Sequence, residues 1–170
     1  TDEAGVAGKW EIEYQCISRT NQALFFLDKV DFHEKNTRIA EMRFLRANNY
    51  FWLKVNFRYV PFIDEFVAIE DYKTISNDLT DEELWGKIIE DLRFAVANLP
   101  EAHEDGAVGR PTKFAAQAYL AKVLLFAAYE QDINNQVVSV NQERLNEVNT
   151  LCDEVLQNSG KALFDDFAEN

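Results

Sequence analysis

The chain has 170 residues, 47% of them hydrophobic and 28% charged, which is the balance of a folded globular chain with a sizeable core rather than of a disordered segment. Its net charge of −13 argues against duplex nucleic acid or an anionic membrane surface as a partner, because both repel an acidic surface.

Lys9 to Leu27 predicts a first helix, in which Trp10, Tyr14, Ile17, Asn21 and Leu24 recur at steps of three and four on one face. Asn21 on that face is expected to be a hydrogen-bonded core side chain. A second helix is predicted from Thr37 to Phe57, ahead of Pro61. Apolar residues lie on nearly all of its sides, so it is expected to be covered by neighbours, with Trp52 in the core. Residues 60–78 lack a helical period but carry Phe62, Ile63, Phe66, Val67, Ile69 and Tyr72; they are expected to wrap the helices as an extended packing strip, an aromatic-lined surface being the alternative.

Thr80-Asp81-Glu82-Glu83 is a capping box, followed at helical spacing by Leu84, Ile88, Leu92, Val96 and Leu99, with Pro100 as the stop. Trp85, just inside this third helix, is expected to pack. In "GRPT", Gly109 turns the chain, Pro111 suits a helix start and Thr112 is the predicted cap of a fourth helix. The apolar run from Phe114 to Tyr129 is shorter than the ~20 residues that span a bilayer, and reads as a buried helix. Ala115, Ala118 and Ala121 lie at three-residue steps and predict close approach of another backbone. "EQDINNQVVSVN" reads as a connection, and no strand is predicted. The fifth helix, Gln142 to Gln157, is expected to turn Leu145, Val148, Cys152, Val155 and Leu156 inward, with Gly160 as its left-handed stop.

Helices joined in this way predict an all-α chain, a single helical domain over residues 1–170. Its helical hairpins would be degenerate tetratricopeptide-like repeats stacked as an α-α superhelix. Ala47-x-x-x-Phe51 fits the small-then-aromatic spacing of that repeat.

Residues with catalytic or metal chemistry are sparse. Cys16 and Cys152 form no CxxC, and both are expected as buried free thiols. His33 and His103 lack the spacing of metal ligands on one helix face and are expected in surface loops. The carboxylate pairs Glu90-Asp91 and Asp165-Asp166 are consecutive, and consecutive helix positions point apart. With no nucleophile elbow or phosphate loop either, the sequence predicts no catalytic residue, no metal ligand and no cofactor. Glu41, Arg43 and Arg46 sit in an apolar, aromatic helix. Their spacings of two and five do not pair Glu41 with either arginine along one helix, so they are expected to be polar skeleton with partners on other segments, Asp91 among them.

Several stretches together carry a family resemblance: "WEIEYQCISRTNQAL", "AEMRFLRANNYFWLKVNFRYVPF", "IIEDLRFAVANLP", "GRPTKFAAQAYLAKVLLF" and "CDEVLQNSGKALFDDFAEN". In this order and spacing they resemble the SusD/RagB family of outer-membrane nutrient-binding lipoproteins. The resemblance implies a non-catalytic surface protein that captures glycans or other nutrients and delivers them to a SusC-type TonB-dependent transporter. It implies lipid anchoring at the cell outer membrane in the full-length protein, of which this chain would be a portion. The competing reading is a tetratricopeptide-type protein–protein scaffold. The chain departs from the family pattern at Arg58, where Gly is usual before the Val-Pro turn, and at Ala162, where Tyr is usual. None of the family's ligand contacts falls within these stretches, so the ligand-binding residues are left unassigned.

Overall fold

A computed structural model describes residues 3–67, 71, 74–104 and 106–162. Along the chain it contains α1 (Glu3–Asp28), α2 (Lys35–Phe57), α3 (Asp81–Asn98), α4 (Lys113–Ala127), β1 (Tyr129–Gln131), β2 (Val137–Val140) and α5 (Gln142–Asn158). The chain divides into two compact units, Thr1–Ala116 and Gln117–Asn170, and the division falls inside α4. The expected all-α class holds, with one small hairpin added.

In the first unit α2 is central and packs against both α1 and α3. It can do so because Ala40 and Ala47 on α2 and Ala95 on α3 let backbones approach, while Tyr50, Phe51, Leu53, Leu84, Ile88 and Leu92 fill the space between. Ala40, Ala95, Leu99 and Ala116 form an apolar cluster flanked by Phe44, Phe94 and Val96. α1 begins earlier than its apolar period suggests, since Gly5 and Gly8 obscure a start that is helical all the same.

α3 opens on the predicted capping box. Thr80 Oγ1 accepts from the Glu83 amide at 3.2 Å, and Glu83 Oε2 accepts from the Thr80 amide at 2.8 Å and the Thr80 hydroxyl at 2.7 Å. Asp81, Glu82 and Glu83 in the first turn also face the positive end of the helix dipole. Thr112 caps α4 as expected, its hydroxyl oxygen accepting from the Ala115 amide at 3.3 Å.

Residues 60–63 form the expected packing strip, with Val60 and Ile63 buried, whereas Asp64, Glu65 and Phe66 are exposed; Ile69 and Tyr72 lie outside the described residues. The strip is entered through an unusual turn. Arg58 has φ 63° and ψ −63°, and the Tyr59 amide donates to the Phe57 carbonyl at 2.7 Å, a γ-turn centred on Arg58. The positive φ that a glycine would adopt freely is therefore kept at this position with an arginine in it.

The structure corrects several expectations. α2 is not covered all round: Leu45, Trp52 and Val55 share one exposed stripe, and Trp52, at 37% exposure, is a surface residue resting on Phe51 at 5.3 Å. On α4, Ala115 and Ala118 are exposed, and the small residues that approach neighbours are Ala116 and Ala121. Three-residue steps turn about 300°, so a run of them winds off any one face. On α5 the buried residue is Leu151, while Cys152 and Leu156 are exposed about 100° or more round the helix from it. Cys16 is half-buried, and both thiols are free.

The segment between α4 and α5 is an antiparallel hairpin, not a plain connection. Tyr129 faces Val140, Glu130 faces Ser139 and Gln131 faces Val137, with a register shift past Val138. Its turn is built by Asp132, whose Oδ1 accepts from the amides of Asn134 at 2.8 Å and Gln136 at 2.9 Å, and by Asn135 at φ 61°. Strands this short and wholly exposed show no apolar alternation, so the sequence gives no periodic signal for them.

Two predictions follow from local geometry. Thr80→Ala should cost about 0.5–2 kcal/mol, read as a lower urea midpoint. The Glu83 carboxyl is held below its ordinary value by the Thr80 backbone and side-chain hydrogen bonds, so its contribution is complete above that value and is lost as pH falls through the lowered one. The gap between wild type and Thr80→Ala should accordingly narrow in acid. Arg58→Gly should relieve a backbone cost of order 1–3 kcal/mol while adding about 0.4–1 kcal/mol of unfolded-state entropy, for a net rise in stability of about 1 kcal/mol. A lower midpoint for Arg58→Gly would show that the side chain, not the backbone, governs this turn.

Candidate functional site

The charged residues of α2 build a buried polar node. The Arg46 side chain is nearly inaccessible, and its guanidinium spans three segments. Nε donates to Asp91 Oδ2 at 2.7 Å and Nη2 to Asp91 Oδ1 at 2.8 Å, a bidentate pair with α3. Nη1 donates to Asn21 Oδ1 of α1 at 3.0 Å and to the Asp64 carbonyl at 2.7 Å. Burial works against the Arg46 charge, but the hydrogen bonds and charge of Asp91 outweigh it and raise the guanidinium above its ordinary value. Burial likewise lifts the Asp91 carboxyl, with Arg46 pulling the other way; the fork-to-fork geometry holds the pair in its charged form.

The strip after α2 is fastened to this node. Asn21 Nδ2 donates to the Ile63 carbonyl at 2.8 Å, and the Tyr14 hydroxyl donates to the Pro61 carbonyl at 2.8 Å. The Tyr50 hydroxyl accepts from the Ile63 amide at 2.6 Å and lies 3.2 Å from the Ile63 carbonyl. Burial pushes both phenols well up, so they remain protonated. Phe62 lies tilted on the Tyr50 ring at 4.3 Å. Asn21 is thus the core hydrogen-bonding residue expected of it, and Asp91, one of the candidate partners, is the one that pairs with Arg46. The parts played by Tyr14, Tyr50 and the Asp64 carbonyl are not legible in the sequence, because backbone acceptors carry no side-chain signature.

Arg43 Nη1 stands 3.7 Å from Asp91 Oδ1, with its guanidinium 4.3 Å from the Phe94 ring centroid. Glu41 Oε1 accepts from Arg110 Nε at 2.8 Å and pairs with Arg110 Nη2 at 2.7 Å. Arg110, in the loop before α4, was not singled out in the sequence. Arg38, three residues before Glu41 on the same helix, adds a weaker contact at 3.3 Å. Partners from other segments thus serve all three residues, and Glu41 also has one of its own.

The other sequence candidates do not converge. Glu90 is exposed while Asp91 faces the node, as consecutive helix positions must; Asp165 and Asp166 lie outside the described residues. His33 is exposed, and His103 is half-buried with Nε2 3.0 Å from the Pro111 carbonyl oxygen. Trp85 is half-buried, 6.3 Å from Phe51 and under Lys54. Among the described residues no group of His, Cys, Asp and Glu could hold a metal.

At the outer end of α1 a different chemistry is exposed. The Phe25 ring lies 5.4 Å from Phe26 and 5.5 Å from Phe66, with Lys29 Nζ 3.6 Å from its centroid. This cluster went unnoticed in the sequence because Phe26 sits off the apolar stripe of α1 and Phe25, one turn after Asn21, continues that stripe and so reads as packing.

Removing one partner of a buried ion pair typically costs about 3–5 kcal/mol. Arg46→Ala should therefore be severely destabilised in urea unfolding, with or without any ligand. A variant of normal stability that had lost only ligand binding would make the node a functional surface instead.

Comparison with known proteins places the chain. A family model described as SusD-like, starch-binding associating with outer membrane, matches residues 2–125. "SusD-like protein P2" of Formosa agariphila is 32% identical over 128 residues, 73% of this chain and 25% of that protein. A crystal structure with a xylogluco-oligosaccharide is 25% identical with a TM-score of 0.80, covering 98% of this chain and 32% of the other. A laminarin-binding SusD-like protein is 26% identical with a TM-score of 0.76, covering 95% and 33%. The chain thus spans about a quarter of the length of that curated relative. A match that runs through α1, α2, α3 and the greater part of α4, supported by a relative of this identity, means that the chain belongs to the SusD/RagB family.

Proposed function

We propose that the chain is the helical portion of a non-catalytic surface protein. That protein would capture oligosaccharides and deliver them to a SusC-type TonB-dependent transporter, anchored by lipid in its full-length form. The observation that carries this reading is the fold match, over nearly the whole chain, to a protein crystallised with a xylogluco-oligosaccharide. The family description supports association with the outer membrane. The physics is compatible. A neutral sugar is not repelled by a net charge of −13, and a node that fixes three helices and the start of a long segment gives loops a rigid base. A protein–protein scaffold is the second reading, favoured by the exposed Leu45, Trp52 and Val55 stripe of α2.

Calorimetry against a panel of glucans should show binding by the full-length protein and weak binding at most by residues 1–170. Tight binding by residues 1–170 alone would move the principal site onto these helices. Binding of peptides but no glycan by the full-length protein would favour the scaffold.

A further inference from the structure

We propose that Lys54 is a positioning residue for glycan binding: by holding Asp81 it fixes the far end of the connection between α2 and α3, as Arg46 fixes the near end at Asp64. The inference rests on the glycan-binding reading above and adds a residue that sets the geometry of the chain around the frame.

Three observations carry it. The first is the pair itself. Lys54 Nζ donates to Asp81 Oδ1 at 2.7 Å, joining the last turn of α2 to the first turn of α3. The Lys54 side chain is 4% exposed and that of Asp81 35%. The ammonium lies 5.6 Å from the Trp85 ring centroid and 6.0 Å from that of Tyr59, so two rings and one carboxylate flank it. The Lys54 carbonyl also accepts from the Arg58 amide at 2.9 Å, where the chain turns out of α2. One residue therefore holds the connection at its entry and at its exit.

The second is that folding does not call for this charge. α3 already starts on the Thr80–Glu83 capping box, with Asp81, Glu82 and Glu83 facing its dipole. An apolar side chain of lysine's length would fill the space beside Tyr59 and Trp85 without the cost of burying an ammonium. A buried ion pair that stability can spare serves position instead.

The third is the span. Arg46 and Lys54 stand eight residues apart on α2, about 12 Å along its axis. The sixteen residues from 65 to 80 would spread their ends by roughly 20–24 Å as a free coil. With its ends held at two close anchors, the connection has met part of its ordering cost before a ligand arrives. Its first residues, Glu65 and Phe66, are exposed, and a long connection on a rigid frame is where binding groups concentrate.

The test sets affinity against stability. Calorimetry of the full-length protein with laminarihexaose and with a xylogluco-oligosaccharide reads the first, and urea unfolding of residues 1–170 reads the second. Lys54→Met should leave the urea midpoint unchanged, because methionine fills the space and Asp81 turns to water, while affinity falls about threefold to tenfold. Asp81→Asn, at the more exposed partner, should lower affinity by less, and Asp81→Glu should keep it. Affinity that holds in Lys54→Met, or that falls only in step with a lower midpoint, would overturn the positioning role. Failure of Lys54→Met to fold would overturn it too, since the charge would then serve folding. If the wild-type full-length protein binds neither sugar, the glycan-binding reading itself fails, and this inference with it.

Discussion

The bidentate pair between Arg46 and Asp91 organises the first unit. A guanidinium this deeply buried needs its charge paired and its donors engaged, and here four hydrogen bonds share the fork among α3, α1 and the chain beyond α2. A lysine could supply the charge but not the planar geometry that reaches three segments together. The node fixes how α1, α2 and α3 meet, while the apolar side chains around it supply most of the burial.

Around the node, tyrosine hydroxyls and an asparagine amide replace a neighbouring strand. Residues 61–64 belong to no helix or sheet, yet the Pro61, Ile63 and Asp64 carbonyls and the Ile63 amide find side-chain partners. These four backbone groups can therefore be packed against apolar helices without being left unsatisfied.

Much of this was legible in the sequence, for identifiable reasons. The capping box of α3 is a local chemical signature, and Thr80 and Glu83 meet as their spacing requires. That Arg46 would find its partner on another segment followed from its spacing to Glu41, and Asp91 was one candidate for it. Burial was less legible. Trp52 looked like core because hydrophobicity does not report which face a neighbour covers, and the Ala115 and Ala118 steps drift off the packed side. The hairpin escaped notice because its turn rests on one aspartate and its strands bury nothing. Phe66 looked like part of the packing strip, which ends at Ile63.

The Arg46 contact to Asp64 closes a loop of fixed contour: from the end of α2, through the tight turn at Arg58, to the carbonyl of residue 64, the chain has no slack. An insertion or deletion within that span would shift Ile63 off Tyr50 and Asn21 together. Beyond residue 64 that restraint is gone, and the segment reaches the cap at Thr80 without another buried anchor among its described residues. Variation in length and side chains can thus accumulate on one side of a single carbonyl while the frame on the other side stays in register. A recognition surface attached there can change its specificity without renegotiating the fold.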